Sequence, residues 1–124
     1  MKHKHFSRNP ALPFSDSVLV GSTLYISGRL GRIPGTMQIP ESIDQEIVYL
    51  MEDLRSVLHD AGMTLDDLVS VQVFSPDVSL WEQFNAIYRT FFSGPLPARA
   101  FLGSGPLLFG ARFEVMGIAV KSSL

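Results

Sequence analysis

The segment 42–62 constrains the fold most, because its apolar residues recur with the period of a helix. Ile43, Ile47, Leu50, Met51, Leu54, Leu58 and Ala61 fall on one stripe, while Asp44, Glu46, Glu52, Asp53 and Arg55 fall mostly off it. Ser42, with Gln45 three residues on, has the pattern of a capping box, and Gly62 is placed to end the helix in the left-handed conformation. A helix with one apolar stripe needs another layer to cover it.

The period then drops to two. Val69, Val71 and Val73 alternate with Ser70, Gln72 and Phe74, which predicts a strand with one apolar face over 68–74, ended by Pro76. A second helix is predicted from Ser79, in a capping box with Glu82, carrying Leu80, Trp81, Phe84, Ile87, Tyr88, Phe91 and Phe92 until Gly94 and Pro95 stop it. At helical spacing that aromatic stripe reads as core rather than as a cofactor box. Asn85 is its odd member, an ordinary exposed amide on this reading.

Upstream of the first helix, 18–20 and 24–26 flank Gly21-Ser22 as a tight hairpin, and Gly28, Gly31, Pro34, Gly35 and Pro40 mark a loop. Residues 1–13 read as an irregular arm, since Pro10 and Pro13 block regular pairing. Two strands close the chain at about 98–102 and 112–120. The order β-β-α-β-α-β-β predicts an α+β sandwich in one domain over 1–124, with two helices packed on one face of a mixed sheet. The other face is left without cover, which invites oligomerisation.

Composition agrees with that uncovered face. The 124 residues suit a single domain, and 46% hydrophobic against 18% charged is rich in apolar groups for a small globule standing alone. The absence of cysteine excludes disulfides, thiolate metal sites and a cysteine nucleophile. A net charge of −2, with no basic cluster beyond the short start Lys2, His3, Lys4, His5, argues against a nucleic-acid partner, because phosphate binding needs a basic face. His3 and His5 read as a solvated tail rather than a metal site, and His59 falls near a helix end, where imidazoles meet free carbonyls. No stretch approaches the roughly 20 apolar residues of a membrane span, and the N-terminus is too polar for a signal peptide. A soluble, cytoplasmic protein is expected.

Chemistry concentrates in 97–120, where Arg99 and Glu114 lie on two predicted strands joined by a glycine-rich loop. In the last strand Phe113, Val115, Gly117 and Ala119 point one way, and Glu114, Met116, Ile118 and Val120 the other. Glu114 thus shares a face with apolar side chains, where an ionised carboxylate is costly unless something pairs it or binds it. Either it serves a site, or it sits at the strand's exposed end bonded to a backbone amide, to Arg112 or to Arg99.

Several segments carry a resemblance that covers nearly the whole chain. ALPFSDSV at 11–18, LYISG at 24–28, FNAIYRTFF at 84–92, PAR at 97–99 and FEVMGIAV at 113–120 are similar, in order and spacing, to segments of the RidA (YjgF) family. That resemblance implies a homotrimer of chorismate-mutase-like folds, with a site in each cleft between subunits. It also implies a cofactor-free and metal-free enamine/imine deaminase, which hydrolyses intermediates such as 2-aminoacrylate to a 2-keto acid and ammonia. Arg99 would hold the substrate carboxylate and Glu114 would position water; their fifteen-residue separation fits the family without a gap. Asn85, Phe14, in the place of a tyrosine, and Ser27-Gly28 match further substrate-binding positions, and Arg29, Ala100 and Phe101 adjoin them.

The chain departs from the family's usual forms at Arg29 for glutamine, Ala100 for serine or threonine, Met116 for a second glutamate, and GSGPLLFG for a more polar loop. An extra cation at Arg29 and more apolar walls suggest a larger or dianionic substrate. A trimeric carboxylate-binding or sensor protein without turnover is the alternative of the same fold.

Overall fold

Ser42 caps the first helix as its spacing predicts. In the computed structural model, which describes residues 2–122, its side chain accepts a hydrogen bond from Gln45 N at 3.2 Å, and α1 runs over Ile43–Asp60. Met1, Ser123 and Leu124, part of the single domain read from the sequence, lie outside the described residues. Gly62, at φ +74°, makes the left-handed stop. Against α1 lies a six-stranded sheet ordered β1-β2-β3-β6-β4-β5, comprising β1 His3–Phe6, β2 Ser17–Val20, β3 Thr23–Leu30, β4 Leu68–Ser75, β5 Ala98–Gly103 and β6 Glu114–Val120. Only β4 and β5 pair in parallel. The second helix, α2 Trp81–Tyr88, packs beside α1 on the same sheet face.

The core is the layer between helices and sheet. Leu24, Ile26, Val71, Val73, Val115 and Ala119 meet Ile47, Leu50, Met51, Leu54 and Leu58, all essentially without solvent exposure. Phe84 of α2 completes it, its ring 5.0 Å from that of Phe113 and 5.7 Å from that of Phe101. The predicted α+β architecture therefore stands, with two helices on one face of a mixed sheet. Its other face leaves Tyr25, Leu102, Met116 and Val120 exposed. No helix among the described residues is long and apolar enough to cross a membrane.

Five local expectations are corrected. The irregular arm contains a strand, because His3–Phe6 pairs antiparallel with β2; His3 and His5 belong to it, and His5 Nδ1 lies 3.2 Å from Ser15 Oγ. Gly28 is not in a loop but inside β3. Val69 is exposed rather than buried, since a register shift against β6 extrudes it and lets Leu68 and Val71 face the core together. The second helix is led in not by Ser79 but by Asp77, whose Oδ1 accepts from Ser79 N at 3.0 Å and opens a 3-10 turn before α2, and Trp81 stays half exposed. Glu46, placed off the helical stripe by its charge, is wholly buried.

Glu46 is buried because the chain entering β6 needs it. Its Oε2 accepts from Arg112 N at 2.8 Å and Phe113 N at 3.3 Å, and its Oε1 pairs with Arg112 Nη1 at 2.8 Å. Burial raises the Glu46 pKa, and the bonds from Arg112 and Phe113 pull against that without reversing it. Glu46→Ala would leave two backbone donors without an acceptor and the Arg112 guanidinium without its carboxylate. The expected loss is about 3 kcal/mol, the low end for breaking a buried pair because Arg112 keeps contact with water, with a smaller loss in Glu46→Gln. Urea unfolding at fixed protein concentration measures this, and equal midpoints for wild type and Glu46→Ala would refute it.

Candidate active site

Between Ile26 and Arg29 the ladder from β3 to β6 slips. Ile26 pairs with Gly117 and Arg29 with Val115, so Ser27 and Gly28 together oppose Met116 alone. This is a β-bulge, and it decides where the candidate residues point. Simple alternation would put Arg29 on the face opposite Ile26. The extra residue returns it to the helix side, where it is 7% exposed. There Arg29 Nε donates to Asp53 Oδ2 at 2.6 Å, Nη2 to Asp53 Oδ1 at 3.4 Å and Nη1 to Asp16 Oδ1 at 2.9 Å. Burial alone would lower its pKa, but the two carboxylates hold it above the ordinary arginine value. Asp16, which burial would raise, is held low by the Arg8 amide and by Arg29. The free cation expected at Arg29 is thus a neutralised strut.

Above the bulge stands Glu114. Its backbone is paired with Leu30 of β3 and Phe74 of β4, on the sheet face away from the helices. The carboxylate lies directly over Gly28, so closely that a Cβ there would collide with Glu114 Oε2. With Glu114 in this position only glycine fits at 28. Among the described residues the Glu114 carboxylate accepts no hydrogen bond and pairs with no cation; Arg112, one partner considered from the sequence, is held by Glu46.

Glu114 and Gly28 lie in a cleft of about 380 Å³, bordered also by Phe14, Ser27 and Arg29. Ser27 is fixed there by its Oγ, which donates to Ser15 O at 2.6 Å, and by its amide, which donates to Asp16 O at 3.0 Å. The sequence reading missed the rest of the lining: Asp16, Leu30 and Asp53, and five residues outside the strands and α-helices, Leu12, Arg32, Met37, Leu108 and Phe109. All five sit in irregular segments where no periodicity betrays a shared surface; only the apolar run in the GSGPLLFG loop hinted at part of it. Arg32 Nη1 contacts Met37 Sδ at 2.8 Å, and among the described residues no carboxylate pairs with it. Phe109 is the one described residue other than glycine with positive φ, at φ 60° and ψ 20°. Such a conformation costs a bulky side chain roughly 1–3 kcal/mol.

Arg99 is elsewhere. It pairs with Val71, which pairs with Gly117, so its side chain is on the helix face of the sheet, two strands from Glu114 and on the opposite side. Phe101 shares that face, whereas Ala100 pairs with Gln72 on the open one. Arg99 Nη2 donates to Asn85 Oδ1 at 2.6 Å, so Asn85 is not the free amide read from the sequence. The guanidinium carbon lies 4.8 Å from the Tyr88 ring centroid and 5.8 Å from that of Phe101. Burial lowers the Arg99 pKa; among the described residues no carboxylate answers its charge. Burial pushes the Tyr88 phenol up to about 12, with Arg99 pulling against it, and among the described residues Tyr88 Oη has no hydrogen-bond partner.

One chain therefore holds two separate groups. Around Arg99 and Asn85 is an unpaired cation with donors to spare, suited to a carboxylate. Around Glu114 is an unpaired carboxylate in a cleft, suited to holding water and taking a proton. Among the described residues, no cluster of three or more His, Asp or Glu side chains is arranged to hold a metal ion.

Comparison with known proteins matches the chain over residues 6–121 to the family model described as endoribonuclease L-PSP. The rat and mouse proteins called 2-iminobutanoate/2-iminopropanoate deaminase are similar to it, at 35% and 36% identity. These matches cover 87% and 88% of this chain and 80% and 82% of the relatives. Among solved structures, RidA from an Antarctic Psychrobacter superposes with a TM-score of 0.85 at 30% identity, over 93% of this chain and 94% of that one.

Two glycines in this region separate stability from site geometry. At Gly28 the nearest atoms to a new methyl all belong to the movable end of Glu114, whereas at Gly31 the nearest is the backbone carbonyl of Glu46. Gly28→Ala should keep its unfolding midpoint within about 1 kcal/mol of wild type while a crystal structure shows the Glu114 carboxylate swung off the bulge. Gly31→Ala should lose about 1–3 kcal/mol. An unmoved carboxylate in folded Gly28→Ala would count against this account of the bulge.

Proposed function

The chain belongs to the RidA family, and from that premise we propose that it is a cofactor-independent imine deaminase, a hydrolase that converts a reactive 2-imino acid, such as the imine tautomer of 2-aminoacrylate, and water to the 2-keto acid and ammonia. The observation that carries the proposal is the Glu114 carboxylate, unpaired and set over Gly28 in a cleft, in a chain more than a third identical to two proteins named for that activity.

Arg99 and Glu114 sit on opposite faces of one chain's sheet, too far apart to grip one small substrate. The proposed site therefore lies between copies in a homotrimer. Arg99, near the sheet edge on β5, reaches from one copy toward the Glu114 cleft of the next, and the exposed apolar sheet face supplies surface for association. In that arrangement Arg99 takes the substrate carboxylate bidentately and Asn85 fixes the guanidinium. Ala100 and Phe101 follow Arg99 along the same strand. The imine carbon is left over Glu114, between Phe14 and the Ser27-Gly28 backbone.

Protonated imine is already an electrophile. Glu114 holds a water against the imine carbon and takes its proton as the oxygen attacks, giving a carbinolamine. The proton passes to nitrogen, the C–N bond breaks, and ammonia leaves as the carbonyl forms. Atoms balance as one imine and one water to one keto acid and one ammonia.

A mixing experiment tests both chemistry and placement. A pyridoxal-phosphate dehydratase supplies the imine, and the rate of 2-keto acid formation is followed. Glu114→Gln should lose about 10²–10⁴-fold of the acceleration, the range for removal of a general base, and Arg99→Ala a comparable factor. Each variant is inactive alone. Unfolded together, mixed and reassembled, they should regain roughly one quarter of wild-type activity, because random assembly of a cyclic oligomer joins an intact Arg99 to an intact Glu114 in about that share of sites. No recovery, with correct assembly, would place the site within one chain. Carboxylate binding without acceleration of any imine would select a sensor over an enzyme.

A further inference from the structure

Resting on the deaminase reading, we infer that the Glu114 cleft selects 2-imino acids with long apolar or aromatic side chains, rather than the methyl and ethyl side chains in the names of the rat and mouse relatives. Five large apolar side chains converge on this one cleft while standing mostly outside the core: Leu12, Phe14, Met37, Leu108 and Phe109, from 41% to 71% exposed. Single exposed apolar residues are ordinary on a protein surface, but a convergent set around a free carboxylate is not.

Phe109 strengthens the inference, because its left-handed backbone brings a half-exposed ring to the cleft that core packing does not demand. The volume, about 380 Å³, falls in the range of pockets that enclose ligands well above the size of 2-aminoacrylate. Of the two arginines lining the cleft, Arg29 is consumed by Asp16 and Asp53, while Arg32 keeps its charge against the neutral Met37 sulfur, which is why a glutamate-derived imine belongs in the test. With the substrate carboxylate on Arg99 of one copy and the imine carbon over Glu114 of the next, the remaining substituent is left to the apolar wall.

The test compares imines made in place by an amino-acid oxidase with catalase, read by competition with semicarbazide trapping. The precursors are leucine, phenylalanine, alanine and glutamate, each with wild type, Leu108→Ser and Phe109→Asn; asparagine tolerates the left-handed backbone. In wild type, kcat/KM for the leucine- or phenylalanine-derived imine should exceed that for the alanine-derived one at least about 10-fold, the discrimination expected from added methylenes in an apolar pocket. Each variant should shrink that ratio severalfold. A ratio at or below one, a glutamate-derived imine turned over fastest, or a ratio the variants leave unchanged would overturn the inference while the deaminase reading stands. So would a change of oligomeric state in Leu108→Ser, which would make the wall a subunit contact. Failure to accelerate every imine would instead remove the deaminase reading itself.

Discussion

The carboxylate of Glu46, buried in the middle of the molecule, is what the other parts are arranged around. A strand that begins on a helix must satisfy the amides of its first residues before the ladder does so, and here the amides of Arg112 and Phe113 turn inward to Glu46. An apolar residue at 46 would avoid desolvating a carboxylate but would orphan both backbone donors and take the carboxylate from the Arg112 guanidinium. That guanidinium also donates to Pro40 O and Glu41 O, tying the loop before α1 to the same point. From the other side Gly31 brings the end of β3 directly onto the Glu46 carbonyl. The end of β3, the helix and the start of β6 thus meet at one residue. Glu114, one position beyond Phe113, inherits its place from that junction.

The elements that could be read in advance are those whose pattern is carried by the chain alone. Ser42, the apolar stripe of α1 and Gly62 are local signals of capping, period and φ, and each reappears in the structure. The failures share a cause, in that they depend on what lies opposite. The bulge at Ser27-Gly28 exists only in relation to Met116, and the extrusion of Val69 only in relation to the register against β6. Glu46 looked like a surface residue because charge usually marks the exposed stripe. It is buried because of two amides 66 and 67 residues away in sequence. β1 was hidden by its polar composition, which suits an edge strand where only one side is paired.

The candidate site shows the same division more sharply. Resemblance in the motifs singled out Arg99, Asn85, Glu114 and the Ser27-Gly28 pair, and the structure joins them into two groups rather than one. Nothing in the spacing of Arg99 and Glu114 tells which faces they occupy. Each lies on a strand with its own alternation, and only the parallel register of β5 against β4 and the antiparallel register of β6 against β4 set the two phases relative to each other. The cleft wall from Leu12, Met37, Leu108 and Phe109 was illegible for a different reason, since it is assembled from loops without a period.

Keeping Arg99 and Glu114 apart has a chemical consequence. A guanidinium and a carboxylate within reach of each other in one chain would form an ion pair, and substrate would have to break it before binding. Here each charge stays unanswered. Arg99 is steadied by Asn85 and aromatic faces, neutral groups that hold its orientation without cancelling its charge, and Glu114 sits over a glycine that offers no donor to its oxygens. In the proposed trimer the two would meet only across an interface, with substrate between them: its carboxylate on one side, its electrophilic carbon on the other. Catalytic competence would then be a property of the assembly. A single folded chain would carry both functional groups and still be unable to use them together.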